Sequence, residues 1–247
     1  MKIFVTGGTG YIGSHTVVEL QKNGYDVIIA DNLVNSSLDV LDGIEKITGI
    51  RPEFEEIDLT DREVTRDFFA RHSDLRAVIH FAALKAVGES VNKPLEYYFN
   101  NLNSLMNVLT CMREFKVSNL VFSSSCTVYG QADVLPVTEK TPRHEAESPY
   151  GNTKVMSEDI IRDLMRVEPD MKALALRYFN PIGAHPTAFI GELPNGVPNN
   201  LIPYLTQTAI GIREQLSVFG DDYNTPDGSP LRDYIDVVDL AKAHVVA

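Results

Sequence analysis

Short apolar runs alternate with longer amphipathic stretches along the first 180 residues of the chain. The apolar runs have the length of strands, and the amphipathic stretches have the apolar spacing of helices. Because the apolar runs are almost continuous, they predict strands that are buried on both faces, as in a parallel sheet covered by helices. The pattern therefore predicts an α/β fold with a doubly wound parallel sheet. The predicted strands are KIFV, DVIIA, EFEEI, AVIHFAA, NLVFSSS and ALALRYFN, and the predicted helices cover residues 10–22, 61–71, 95–116 and 150–166.

The character of the sequence changes after residue 180. Residues 181–230 are rich in proline and glycine and contain one stretch that predicts a helix, near residues 200–211. We predict a doubly wound domain over residues 1–180 and a smaller substrate lobe over residues 181–247. The last residues, VVDLAKAHVVA, have helical spacing but no glycine cap or polar tail. We therefore expect the C-terminal lobe to be incomplete at Ala247.

The composition is that of a globular protein with a sizeable core, since 44% of the 247 residues are hydrophobic. The chain carries 22 Lys and Arg against 34 Asp and Glu, which gives a formal net charge of −12 at pH 7. Such a surface repels polyphosphates, so we do not expect a nucleic acid as a partner. An anionic ligand must bind where positive charge is concentrated locally.

The cysteines and histidines do not have the spacing of a metal site. Cys111 and Cys126 form no C-x-x-C motif, and the six histidines show no ligand pattern. We expect reduced thiols and no metal.

The sequence has no apolar run of about 18 residues. Its first residues, MKIFVTGG, predict a strand and a glycine turn rather than a signal peptide. We therefore expect a cytoplasmic protein that does not cross a membrane.

A glycine-rich turn follows the first predicted strand, in TGGTGYIGSHT. Gly7, Gly10 and Gly13 are spaced so that the chain turns tightly, approaches a pyrophosphate closely and packs a helix on the strand. A strand-to-helix turn can also need glycines without any ligand. Asp31, at the end of the second strand, favours the dinucleotide interpretation because its carboxylate suits the adenosine ribose hydroxyls. The same carboxylate repels a 2′-phosphate, so we predict NAD rather than NADP, although Asp31 as a turn or cap residue is the alternative.

Two further segments are predicted at the same edge of the sheet. Asp58 follows the third strand and is expected to contact the adenine amino group or, alternatively, to cap the helix that begins near Asp61. HFAALK follows the fourth strand, where Ala82, Ala83 and Lys85 suit the pyrophosphate side of a dinucleotide. A solvated lysine is the alternative interpretation of Lys85.

Tyr150 and Lys154 are four residues apart in SPYGNTK, so they lie on one face of a predicted helix. The strand that ends in FSSS brings Ser125 to the same edge of the sheet. A phenol must have its pKa of about 10 lowered by roughly three units, about 4 kcal/mol, to act as a base near neutrality. The Lys154 ammonium and an oxidised nicotinamide would supply the positive charge. These residues predict a catalytic triad; the alternative is an interface tyrosine and a surface lysine.

These motifs occur together with narrower ones: KAVGES, LRYFNPIGAHP, PNNLIPY, VFGDDY and RDYIDVVDLA. On this set the whole chain resembles the extended short-chain dehydrogenase/reductase family, and within it the nucleotide-sugar 4-epimerases. The resemblance implies a Rossmann fold, bound NAD and a UDP-sugar substrate.

The resemblance also implies a role for individual residues. Tyr150 would be the base, Lys154 would lower its pKa and hold the nicotinamide ribose, and Ser125 would hydrogen-bond the sugar 4′-oxygen. The implied NAD contacts, besides the glycines and this triad, are Tyr11, Ile12, Asp31, Asn32, Leu33, Asn35, Ser36, Asp58, Leu59, Phe81, Ala82, Ala83, Lys85, Asn100 and Phe179. The implied UDP-sugar contacts are Lys85, Ser125, Tyr150, Asn180, Asn200, Leu201, Val218, Phe219 and Arg232. Arg232 also suits a diphosphate chemically, with a salt bridge inside RDYID as the alternative.

The implied reaction interconverts UDP-glucose and UDP-galactose. Tyr150 takes the 4′-hydroxyl proton while hydride passes to NAD, and the 4-keto sugar turns over before hydride returns to its other face. NAD is expected to stay bound, because the net redox change is zero.

Alternatives to this activity stay open. They are a 4-epimerase of UDP-N-acetylhexosamines or UDP-pentoses, a nucleotide-sugar dehydratase and an NAD-sensing protein without catalysis. A dehydratase is disfavoured because Ser125, Cys126 and Thr127 include no adjacent acid and base. We also expect a homodimer, in which the helices predicted over residues 95–116 and 150–166 pair across a two-fold axis.

Overall fold

The structure is a computed structural model, and it describes residues 1–218 and 220–247. These residues form eight strands and eight helices. The strands are β1 (Lys2–Thr6), β2 (Asp26–Asp31), β3 (Glu53–Glu56), β4 (Leu75–His80), β5 (Asn119–Ser123), β6 (Lys172–Leu176), β7 (Asn180–Ile182) and β8 (Tyr234–Asp236). The helices are α1 (Tyr11–Lys22), α2 (Asp39–Thr48), α3 (Arg62–Arg71), α4 (Val87–Asn92), α5 (Pro94–Glu114), α6 (Pro149–Val167), α7 (Leu201–Ala209) and α8 (Val237–Val246). A 3₁₀ turn, Cys126–Tyr129, follows β5.

The first six strands form a parallel sheet in the order β3-β2-β1-β4-β5-β6. Val5 of β1 pairs with Ile29 of β2 on one side and with Ile79 of β4 on the other. The direction of winding reverses between β1 and β4, which opens a crevice at the carboxyl ends of these two strands. The predicted doubly wound sheet is confirmed. β7 and β8 pair separately, also in parallel.

Apolar side chains cover both faces of this sheet. Phe4 of β1 is buried with Phe68 and Leu105, which belong to α3 and α5. Its neighbour Val5 faces the other side and is buried with residues of α1 and α2, among them Val17. Because successive residues of a strand enter different cores, most buried positions of β1, β2 and β4 are apolar, whereas β3, at the edge of the sheet, has the sequence EFEE.

Several elements differ from the sequence predictions, and β5 ends at Ser123 rather than at Ser125. α2 and α4 were not predicted, and β4 ends at His80, so that the three residues after it form a loop. The predicted strand ALALRYFN is divided between β6 and β7. The division at residue 180 stays a prediction, and α8 packs on α1 although it lies beyond that point.

Other expectations concern cysteines, metals and membranes. Cys111 and Cys126 are free cysteines, and Cys111 is buried. Within residues 1–218 and 220–247, no three His, Cys, Asp or Glu side chains are grouped so that they could hold a metal ion. Among the same residues, no helix is both long and apolar enough to cross a bilayer.

Candidate active site

The turn between β1 and α1 has no space for side chains at its glycines. A Cβ on Gly13 would lie 2.2 Å from the carbonyl oxygen of Gly7, and a Cβ on Gly7 would lie 2.9 Å from the nitrogen of Ala82. Gly7 also has a φ of 67°, in the left-handed region. In the part of the chain that the structure describes, no side chain caps the start of α1 at Gly10. The first N–H groups of α1 are therefore available to phosphate oxygens, which fits a dinucleotide.

The end of β2 holds Asp31 beside this turn. Its carboxylate accepts hydrogen bonds from the backbone N–H groups of Thr9, at 3.3 Å, and Leu33, at 2.9 Å. Asp31 does not cap α2, which begins eight residues later at Asp39. A carboxylate has about four acceptor sites, so Asp31 retains capacity for ribose hydroxyls. Its position therefore fits the predicted contact with the cofactor.

Asp58 also lies beside the cleft rather than at a helix cap. Its carboxylate accepts from the backbone N–H and the hydroxyl of Thr60, at 2.9 and 2.8 Å. The cap of α3 is Asp61, which accepts from the N–H groups of Glu63 and Val64. Asp58 therefore does not cap α3, and its contact with the adenine amino group stays a prediction.

The loop after β4 is fixed by buried polar side chains. The hydroxyl oxygen of Thr6 accepts from the N–H groups of Phe81 and Ala82, both at 3.1 Å. Lys85 lies further along the loop, and its Nζ is 3.5 Å from Oε1 of Glu192. Lys85 lines the cleft with a side chain that is 47% exposed, and its contact with the cofactor stays a prediction.

Helix α6 begins at SPYGNTK. The Ser148 hydroxyl accepts from the N–H of Gly151 at 3.1 Å, and Pro149 occupies the first helical position. This start directs Tyr150 into the cleft and places Lys154 one turn later. Lys154 is 4% exposed, and its Nζ donates to the carbonyl oxygen of Ser123 at 2.8 Å. The same Nζ lies 5.8 Å from the centre of the Tyr150 ring.

Burial controls the protonation of these residues. It raises the pKa of Tyr150 to about 12, although a hydrogen bond with Ser125 opposes part of the rise. Burial also lowers the pKa of Lys154 to about 8. The predicted depression of the Tyr150 pKa is therefore not produced by the chain's own groups. The physical reason is that desolvation dominates and that the Lys154 ammonium donates to a backbone carbonyl.

A family model allows the chain to be placed among known proteins. The model of the NAD dependent epimerase/dehydratase family matches residues 3–247. The chain belongs to this family. It is 54% identical to a UDP-glucose 4-epimerase of Bacillus subtilis over 247 residues, which are 100% of this chain and 72% of the relative. It is 55% identical to the bifunctional protein GAL10 of Pachysolen tannophilus over 249 residues, with 99% of this chain and 36% of that longer protein covered.

The fold agrees with that of solved members of the epimerase/dehydratase family. A crystal structure of UDP-glucose 4-epimerase from Bifidobacterium longum, in complex with NAD⁺ and UDP, matches with a TM-score of 0.97 and 48% identity. The match covers 99% of this chain and 73% of that one.

Most of the predicted site residues line one cleft of about 490 Å³ at the carboxyl ends of the strands. The predicted residues that line it are Gly7, Gly10, Tyr11, Ile12, Gly13, Asp31, Asn32, Asn35, Ser36, Asp58, Leu59, Phe81, Ala82, Ala83, Lys85, Asn100, Ser125, Tyr150, Lys154, Phe179, Asn180 and Asn200. The cleft thus brings the glycine turn, Asp31 and the Tyr150, Lys154 and Ser125 side chains together.

Four predicted residues lie outside the lining of this cleft. Leu33 contributes its N–H to Asp31, and its side chain does not line the cleft. Leu201 and Val218 are 50% and 81% exposed. Arg232 is exposed as well, and its Nη1 donates to the adjacent carbonyl of Leu231. Phe219 lies outside the described residues.

Some residues that shape the site were not predicted from the sequence. Asn101 is buried, its Oδ1 accepts from the N–H of Leu84 at 2.8 Å, and its Nδ2 donates to the Leu84 carbonyl and to Thr153. It therefore connects the loop after β4 to α6. The signal for it was the second asparagine in YYFNN, but sequence alone assigned a role only to Asn100.

Replacing Asp31 with Asn should change the choice of dinucleotide. A charged hydrogen-bond partner is worth about 1.5–3 kcal/mol, so we expect NAD to bind about 10- to 100-fold more weakly, while NADP loses its repulsion. Titration of NAD-depleted protein with each dinucleotide measures both effects. Asp26→Asn, at the exposed opposite end of β2, is the control. An unchanged ratio of the NAD and NADP affinities would show that Asp31 does not face the ribose.

Proposed function

We propose that the protein interconverts UDP-glucose and UDP-galactose by inverting C4 of the sugar. The observation that carries this proposal is the meeting of Tyr150, Lys154 and Ser125 with a dinucleotide-type glycine turn in one cleft. The high identity to UDP-glucose 4-epimerases along the whole chain supports the same activity.

The residues present fit NAD. The glycine turn and the uncapped start of α1 would hold the pyrophosphate, Asp31 the adenosine ribose and Lys154 the nicotinamide ribose. Bound NAD would supply a reversible hydride acceptor and the positive charge of its oxidised ring. We also propose that NAD stays bound between turnovers. The segment that includes Glu192 and Asn195 supports retention, because it lines the cleft and is anchored to Lys85 and to Asn35.

The chain's own groups would move one proton. Tyr150 would accept the proton of the sugar 4′-hydroxyl, and Ser125, which is 8% exposed, would donate or accept a hydrogen bond at the same oxygen. Lys154 would keep a positive charge close to the phenolate that forms. Because the surroundings of Tyr150 oppose ionisation, this charge must come with the ligands and the protonated Lys154.

The UDP part would bind at the side of the cleft lined by Asn180 and Asn200. The Nδ2 of Asn180 donates to the carbonyl of Asp233 at 2.9 Å, so β7 is connected to the segment that contains Arg232. This connection supports a diphosphate site shared by Asn180 and Arg232. Leu201, Val218 and Phe219 remain proposed contacts from the family resemblance.

The decisive experiment is an assay of the purified protein with UDP-galactose and no added cofactor. We expect UDP-glucose to form, and we expect NAD in the supernatant after denaturation. No conversion, or conversion only after NADPH is supplied, would contradict the proposal. Parallel reactions with UDP-N-acetylgalactosamine and a UDP-pentose determine the sugar class.

We also propose that two copies associate through α5. Leu95, Phe99 and Met106 are 80%, 63% and 41% exposed, and their spacing places them on one face of the helix. A row of exposed apolar side chains on a long helix is typical of a helix-pairing interface.

Phe99→Glu should convert a dimer into monomers, because each interface would contain two desolvated charges. Sedimentation or light scattering at several concentrations measures the mass. Ile50→Glu, at another site that is 53% exposed, is the control and should leave the mass unchanged. The proposed interface would be contradicted if the protein without substitutions is a monomer, or if both variants remain dimers.

A further inference from the structure

A second polar cluster lies directly behind the proposed catalytic residues. Its centre is Glu158 of α6, whose carboxylate accepts from the Ser124 hydroxyl at 2.6 Å. The same carboxylate accepts from Nε and Nη2 of Arg177 at 2.8 and 2.6 Å, which is the bidentate geometry of a strong pair. Nη1 of Arg143 lies 3.6 Å from it on the outer side.

Glu158 is charged despite its burial. Its side chain is only 9% exposed. Burial by itself would raise the pKa of Glu158, but hydrogen bonds from Arg177 and Ser124 outweigh burial and lower the pKa. The carboxylate therefore stays ionised at neutral pH and accepts from Ser124 and Arg177, the residues that directly follow β5 and β6.

The cluster is continuous with the catalytic residues along the chain. Tyr150, Lys154 and Glu158 follow one another at intervals of four, so they lie along one face of α6. Ser124, which donates to Glu158, lies in the chain between Ser125, the proposed sugar contact, and Ser123, whose carbonyl accepts from Lys154. The carboxylate thus fixes the end of β5 against the same helix that carries the base.

The partner strand is fixed in the same way. Arg177 immediately follows β6, and its neighbour Tyr178 hydrogen-bonds through its hydroxyl to the Ser123 side chain. Glu158 and Arg177 therefore connect α6, β5 and β6 at the one edge where the predicted chemistry takes place.

We propose that Glu158, paired with Arg177, is a positioning residue that sets the separation between Ser125 on the β5 end and Tyr150 and Lys154 on α6. This role rests on the proposed function, since it requires Ser125 and Tyr150 to reach the same sugar oxygen. Glu158 is not among the residues that line the cleft, so it would act through Ser124 and Arg177. We call Glu158, with its partners Arg177 and Ser124, the clamp. A misplacement of about 1 Å in reacting groups costs about 100-fold in rate, so loss of the clamp should lower kcat.

Three variants test the clamp. We expect Glu158→Ala to lower kcat about 100-fold per NAD-loaded molecule. Glu158→Gln keeps the shape and should retain about ten times the kcat of the alanine variant, and Ser124→Ala, which removes one bond, should lose about threefold to tenfold. KM for UDP-galactose and the NAD content should stay within about twofold of the unmodified protein. Asp163→Asn, on the same helix with a side chain 64% exposed, is the matched control and should change nothing.

A purely structural role predicts a different result. Glu158→Ala would then lower the melting temperature but leave kcat per NAD-loaded molecule equal to that of Asp163→Asn, and this outcome would overturn the proposal. If Glu158→Ala does not fold, the split between kcat and KM in Glu158→Gln and Ser124→Ala decides the question.

One measurement does not depend on activity. Modification of Lys154 by an amine reagent, followed by mass spectrometry, reports how firmly its Nζ is held on the Ser123 carbonyl. We expect Ser124→Ala and Glu158→Gln to raise the modification rate roughly tenfold, because local opening exposes the amine. Unchanged modification would refute the clamp. If the protein without substitutions does not convert UDP-galactose, the proposed function is refuted. The labelling result then decides the role of Glu158 by itself.

Discussion

Tyr150→Phe is expected to lower kcat by about 1,000-fold and to leave the bound NAD in place. The variant removes only the phenolic oxygen, so the ring still fills the wall of the cleft beside Lys154. General acid–base groups contribute typically 10²–10⁴-fold, and the residues of α6 that line the cleft are Tyr150 and Lys154. The measurement is the initial rate of UDP-galactose conversion at saturating substrate, together with the NAD released on denaturation.

A second tyrosine provides the control for this expectation. Tyr98 lies on α5, its hydroxyl accepts from Nδ2 of Asn152 at 2.8 Å, and neither residue is among those that line the cleft. Tyr98→Phe should therefore keep kcat within about twofold, since a single neutral hydrogen bond contributes about 1 kcal/mol to stability and nothing to the proton transfer. Full activity in Tyr150→Phe would show that another group takes the 4′-proton. Loss of NAD in this variant would show that Tyr150 acts mainly in cofactor binding.

The parts of the site that sequence alone predicted depend on short-range geometry. Gly13 is glycine because Gly7, six residues earlier, comes too close for any side chain, and this is visible in a strand–turn–helix pattern. Tyr150 and Lys154 share a face because a helix repeats about every 3.6 residues. In both cases the partner lies within a few residues, so spacing and residue type were sufficient.

Contacts between distant segments could not be read from the sequence in the same way. α2 was not predicted, although its apolar residues have helical spacing, and Gly43 in its interior weakens helix propensity. A Cβ on Gly43 would lie 2.4 Å from the carbonyl of Phe189, about 150 residues later, so this glycine serves a tertiary contact. Asn101 and Glu158 are similar cases, since their partners lie on other elements.

The sequence also does not show in which direction the folded chain shifts the pKa of Tyr150. The prediction was that Lys154 and an oxidised nicotinamide together lower the pKa of Tyr150, but spacing does not determine the direction of the ammonium or the extent of burial. In the folded protein the ammonium binds the Ser123 carbonyl, and desolvation raises the phenol pKa to about 12. Whether desolvation or the positive charge has the larger effect on this pKa depends on how the side chains pack around Tyr150.

Gly13→Ala is expected to weaken NAD binding by up to roughly 100-fold. The added Cβ would lie 2.2 Å from the Gly7 carbonyl oxygen and 2.8 Å from the Gly8 Cα. Both neighbours are backbone atoms of the turn itself, so the strain cannot be relieved by a side-chain rotation. Overpacking of this kind costs about 1–3 kcal/mol, and it must either open the turn or move α1 away from β1. Because the phosphates would bind to that turn, a 3 kcal/mol distortion corresponds to roughly 100-fold weaker NAD binding.

The comparison that isolates this effect is Gly88→Ala in α4, where a Cβ would meet nothing within 4 Å. Alanine is the better helix former by about 0.5–1 kcal/mol, so this variant should keep its NAD and melt at the same or a higher temperature. NAD content after purification and thermal melting, followed by circular dichroism, separate loss of cofactor from loss of fold. Gly13→Ala with a full complement of NAD would mean that the turn tolerates a side chain, and the pyrophosphate would then have to bind elsewhere than at the start of α1.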